Sequence, residues 1–167
     1  MNEILDTKLM HPRDQITMII TRIYKRGMTT TSGGNISVID GKGDIWVTPS
    51  AIDKGTHRPS DIICIKQDGT ILGRHKPSSE YPFHMLAFGA HFMGREEIPE
   101  LISSGIPAII IQNDSILITG DKLLQTFDRL EVAEFSSKSL VMAKPIGDLL
   151  PINDKQIAEL KRVFLNK

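Results

Sequence analysis

The chain has 167 residues, 40% of them hydrophobic and 24% charged, which is enough for one compact domain and too few to expect two independent ones. Twenty basic residues balance twenty acidic ones, so no net field draws the protein to nucleic acid or anionic lipid. Apolar runs such as MII and AIII fall far short of the roughly 20 residues that span a bilayer, and the N-terminus lacks a signal-peptide pattern, so the expectation is a cytoplasmic protein without membrane partners.

In chain order, HPRDQITMIITRIYKRG places Pro12 in a first helical turn and Ile16, Ile19, Ile20 and Ile23 on one face, with Gly27 as the stop. NISVI and DIWVT, on either side of DGKGD, predict a β-hairpin, and DIICIKQDGTILG repeats the pattern around QDG. PSSE opens a helix through Phe83, Leu86 and Ala87, with serine as its cap. REEIPELISS is a second helical piece that tolerates Pro99 only near its first turn.

IPAIIIQNDSILITGD predicts two core strands meeting at Asn113 and Asp114. From Lys122 to Ala143 runs the longest helical pattern, with Leu123, Leu124, Phe127, Leu130 and Val141 on its apolar side. NDKQIAELKRVF then offers Asn153 as a cap, with Gln156 three residues on. Tight turns between the strands predict a largely antiparallel sheet with helices packed on it, all in a single domain over 1–167. Cys64, the only cysteine, and Trp46 are expected in the core, whereas His57 and His75 stand in polar loops and are expected to be solvated.

Three polar clusters lie at predicted element ends: SGGN (Ser32 to Asn35), TPSA (Thr48 to Ala51) and PSSE (Pro77 to Glu80). Glycines let backbone approach an anion, small hydroxyls donate to phosphate oxygens, and a helix start supplies unpaired N–H groups. Each cluster alone is also an ordinary turn or cap. Their spacing in the chain cannot say whether they meet.

TTTSGGNIS, DIWVTPSAIDKG and SDIICIKQDGTILGRHKPSSEYPFH, in that order and spacing, resemble the N-terminal half of the class II aldolase/adducin family, in the style of its L-fuculose-1-phosphate aldolases. AIIIQNDSILITGDKLLQTFDRLEVAEFSSK resembles that family's later strand pair and long helix. The resemblance implies an α/β fold, three-layer αβα around a central, mainly antiparallel sheet, and a homo-oligomer. It also implies a small phosphorylated carbohydrate, or phosphate, held by Asn35, Ser50, the Ala51 backbone, Ser78 and Ser79, with Ala51 standing where the family has glycine. Glu80 takes the place of the family's general acid/base.

The family's aldol cleavage uses a divalent metal, usually zinc, held by three histidines, two of them in a His-x-His strand after the SSE helix. Here FHMLAFGAH runs straight into MGREEIPELISSG, so a few dozen residues and the paired ligands are missing, and Asn113, Asp114 and Ser115 stand where the family has its third histidine. The sheet is therefore expected to be reduced, with the AIIIQ and SILIT strands or a second chain covering the gap. A rebuilt metal site has only weak candidates, His84, one turn beyond Glu80, and Asp114.

The leading reading is an aldolase-like protein that keeps the phosphate cradle and Glu80 without a metal cofactor, and so is inactive or much altered as an aldolase. Zinc or another divalent cation returns under the alternative, an active metal-dependent lyase or epimerase with substituted or intersubunit ligands. The third reading is an adducin-like, non-enzymatic interaction module.

Overall fold

The computed structural model describes residues 7–82, 84, 97–111, 115–148 and 150–164. Helix α1 spans Pro12–Lys25 and buries Ile16, Ile19, Ile20 and Ile23, because a 3.6-residue period returns those positions to one face. His11 caps it, its Nδ1 accepting from the Arg13 N–H at 3.2 Å. Gly27 at φ 67 makes the left-handed turn that ends the helix.

Strands β1 (Ser37–Ile39), β2 (Ile45–Val47), β3 (Ile63–Ile65) and β4 (Ile71–Leu72) form one antiparallel sheet in chain order. The register pairs Val38 with Trp46 and Trp46 with Cys64. A period of two then sends Ile45, Val47, Ile63 and Ile65 to the opposite face. Val38 and Trp46 pack with the α1 isoleucines, Ile36, Ile62 and Phe127. The other face buries Ile45, Val47, Ile63 and Ile65 against Tyr81, which belongs to a helical stretch that includes Pro82 and His84. Helix, sheet and helical turn stack as three layers, the α/β arrangement expected. Cys64 lies in the sheet, 1% exposed.

Helix α2 covers Glu97–Ser103. Strands β5 (Ala108–Ile111) and β6 (Ser115–Ile118) pair antiparallel as a second, two-stranded sheet. Among the described residues they do not join the four-stranded sheet. An open cleft of about 740 Å³ lies between, lined by Ser37 and Val38 on one side and Ile116 and Ile118 on the other. A hairpin closes a short loop on local contacts, whereas pairing with β1 would close a much longer one. The turn residues Asn113 and Asp114, and the helical positions Phe83, Leu86 and Ala87, lie outside the described residues.

Helices α3 (Leu123–Ala143) and α4 (Asp154–Phe164) complete the chain, which divides into two compact units, Met1–Glu131 and Val132–Lys167. In the first unit, Leu123, Leu124, Phe127 and Leu130 join the α1 core. In the second, Val141 is 72% exposed, not on a buried face as expected. It keeps roughly the helical phase of Phe127 but lies about 21 Å further along the helix axis, and phase alone does not bury a side chain.

Helix α4 opens on a reciprocal capping box: the Asn153 N–H donates to Gln156 Oε1 at 2.9 Å and the Gln156 N–H to Asn153 Oδ1 at 3.0 Å. Asn153→Ala should cost about 1 kcal/mol, read as roughly fivefold faster hydrogen exchange of the α4 amides. Unchanged exchange would show that the cap is idle. Among the described residues no helix is long and apolar enough to cross a membrane.

Candidate functional site

The three polar clusters meet. Thr48, 1% exposed, accepts from the Ile36 N–H at 3.1 Å and reaches Asn35 Oδ1 at 3.5 Å, tying the SGGN loop to the end of β2. The Lys54 N–H donates to the Thr31 carbonyl at 2.8 Å and closes the same pair of loops from the other side. The Ser50 N–H donates to the Lys76 carbonyl at 3.0 Å, and Pro49 forms a β-bridge with Pro77. Asn35 Nδ2 then donates to Glu80 Oε2 at 2.5 Å, so every loop is fastened to the other two.

Two periodicities make this junction. Residues 35 and 37 extend from the same side of the chain entering β1, about 7 Å apart, while residue 80 stands in the turn that opens the helical stretch and residue 84 one four-residue step, about 6 Å, further on. The two spacings match. Asn35 therefore takes Glu80, and Ser37 Oγ lies 2.8 Å from His84 Nδ1. Ser78 Oγ accepts from the Glu80 N–H at 3.1 Å, the serine cap the sequence predicts. Its hydroxyl proton remains to be donated elsewhere.

Ala51 sits at φ 55 and among the described residues is the one non-glycine at positive φ. The β-carbon makes this left-handed conformation costly, by about 1–2 kcal/mol. Ser78 is buried, Ser50, Asn35 and Glu80 are half-buried, and Ser79 and Ala51 are exposed. The cluster thus opens to solvent at Ser79 and Ala51.

His84 is half-buried and its pKa is lowered by burial to about 4, so the ring is neutral at pH 7. Among the described residues no group of three or more His, Cys, Asp or Glu side chains is placed to hold a metal ion. His84 spends its Nδ1 on Ser37, and Asp114, the other weak candidate, lies outside the described residues. The donor set described does not fit zinc, which takes at least three protein ligands.

The expectation that His57 is solvated is corrected: it is 9% exposed, its Nδ1 lies 3.0 Å from the Lys54 carbonyl, and burial lowers its pKa. The AIDKGTH segment folds back on itself, which local polarity does not reveal. His75 is half-buried beside Asp61 at 3.2 Å. Sequence reasoning also passed over Lys54, whose burial has no local signal in a polar loop.

The site is thus three polar loops joined at a carboxylate, carried on an α/β domain with an antiparallel sheet. Residues 14–94 match the Class II Aldolase and Adducin N-terminal domain, and the chain belongs to the class II aldolase and adducin family. Over 101 residues, 59% of this chain, it is 29% identical to the 5-deoxy-D-ribulose 1-phosphate aldolase of Bacillus thuringiensis serovar kurstaki. Over 76 residues, 46% of this chain, it is 32% identical to the 3-oxo-tetronate 4-phosphate decarboxylase of Escherichia coli. These matches span 46% and 36% of the relatives' own lengths, less than half in each case. Among solved structures it superposes on an L-fuculose 1-phosphate aldolase with a TM-score of 0.75 and 20% identity, over 92% of this chain and 96% of the other, a likeness of fold alone.

Proposed function

We propose that this chain is an aldolase-like protein whose three-loop junction binds a small phosphorylated carbohydrate or inorganic phosphate, with Glu80 placed for acid/base work, and that without a zinc electrophile it is inactive or much altered as an aldolase. The 2.5 Å bond between Asn35 and Glu80 carries the reading, because it joins the proposed anion contacts to the proposed acid/base group. Ser50, the Ala51 backbone, Ser78 and Ser79 are the anion contacts in this reading, as they are by family resemblance. The names of the relatives support it: both curated matches act on sugar or tetronate phosphates. A homo-oligomer belongs to the same reading.

Thermal unfolding with inorganic phosphate and ketose 1-phosphates tests it. A ligand at a hundred times its Kd should raise stability by about 2.7 kcal/mol. Ser79→Ala should weaken the affinity about tenfold, which at the same ligand concentration cuts that stabilisation to about 1.4 kcal/mol, while leaving the unliganded midpoint in place, since Ser79 is exposed and a hydrogen bond to a charged group is worth roughly 1.5–3 kcal/mol. No response to any of these anions would refute the cradle.

A further inference from the structure

We infer that Lys54 is a buried cationic component of the anion site, its ammonium fixed beneath the three-loop junction so as to favour a dianionic phosphate group. The inference rests on the proposed function and adds a residue and a charge preference to it. Lys54 is 1% exposed and heads the fully buried side chains in size. Its backbone N–H holds the Thr31 carbonyl at 2.8 Å, and its Nζ reaches the Pro49 carbonyl at 3.4 Å. Pro49 is bridged to Pro77, and the residues that follow these two prolines, Ser50 and Ser78, are proposed anion contacts. The ammonium is thus adjacent to the backbone from which the cradle is built.

An ammonium carries three donors. One long bond to a neutral carbonyl leaves most of that capacity unused, and a buried charge without a partner is costly. The charged groups around it are few. Asp53, its neighbour in sequence, turns away: Oδ1 accepts from the Gly55 N–H and Oδ2 from the Thr56 hydroxyl, each at 2.8 Å. His57 faces it through the Lys54 carbonyl, and its ring is held neutral-leaning by burial. Burial lowers the Lys54 pKa, and the Glu80 carboxylate opposes that shift. Glu80 is in turn held by Asn35. The ammonium and the acid/base carboxylate of the site thus feel each other's charge without a direct bond between them, and an incoming phosphate completes the ammonium's coordination.

The test titrates inorganic phosphate against wild-type protein, Lys54→Met and Lys54→Arg by calorimetry, on both sides of phosphate's second ionisation. Wild type should bind the dianion at least about tenfold more tightly than the monoanion. Lys54→Met should lose that preference and at least about tenfold in affinity, while its unliganded midpoint holds or rises, since an under-paired buried charge has been removed. Lys54→Arg should keep the preference. Glu80→Gln, which leaves Lys54 in place, is an independent arm: freeing the ammonium from its carboxylate should tighten phosphate binding several-fold. Wild-type affinity and charge preference in Lys54→Met, or no gain in Glu80→Gln, overturns the inference while leaving the cradle intact. Wild-type protein that ignores phosphate overturns both.

Discussion

Zinc added to the purified protein is expected to produce no aldol cleavage of ketose 1-phosphates above the metal-free background. The electrophile of such a reaction stabilises the enediolate by several kcal/mol, and each 1.36 kcal/mol is tenfold in rate, so its loss removes roughly three to four orders of magnitude. The ground is the donor set. The chain carries five histidines in all, no His-x-His pair stands among them, and His84 is committed to Ser37. Glu80 can move a proton but cannot take up the charge that develops on the substrate oxygen. Turnover assays with zinc and with chelator, run beside metal analysis of the protein, decide the matter. A stoichiometric divalent cation together with zinc-dependent turnover would instead establish the active lyase with substituted or intersubunit ligands.

Acid should destabilise the protein well above the carboxylate range, and His84 should account for most of the effect. Burial lowers its folded pKa to about 4, from the 6.5 of a free imidazole. Between those two values the unfolded chain binds a proton at this position and the folded chain does not, so stability rises with pH across the window. The contribution is fully present above pH 6.5, is lost progressively as pH falls toward 4, and changes no further below that. A depression of this size corresponds to about 3 kcal/mol. His57 is shifted in the same direction by burial, so the experiment is a difference: urea unfolding of wild type and His84→Gln from pH 7.5 down to 4. The variant's pH profile should be flatter by most of that amount. Parallel profiles would mean that His84 is protonated in the folded protein and that its contact with Ser37 is made as a cation.

Much of the fold is legible in the chain because it depends on short-range periods. The isoleucines of α1 recur every three or four residues, the hairpins announce themselves through DGKGD and QDG, and Asn153 and Gln156 form the reciprocal cap their spacing predicts. The family, too, is carried by contiguous wording around SGGN, TPSA and PSSE, and the match over residues 14–94 bears it out. The exposure of Val141 is a miss of a different kind: its helical phase is right, but phase alone does not bury a side chain.

What the sequence determined by itself is therefore the set of elements, the family and the three candidate clusters, since each depends on residues within a few positions of one another. Tertiary structure alone decided that the clusters form one junction, with Asn35 on Glu80 across 45 positions and Ser37 on His84 across 47. It also decided that Lys54 and His57, polar residues in a polar loop, are buried. Burial and long-range pairing depend on how a strand's two-residue period and a helix's four-residue step come to face each other, a relation that exists only once the layers have packed.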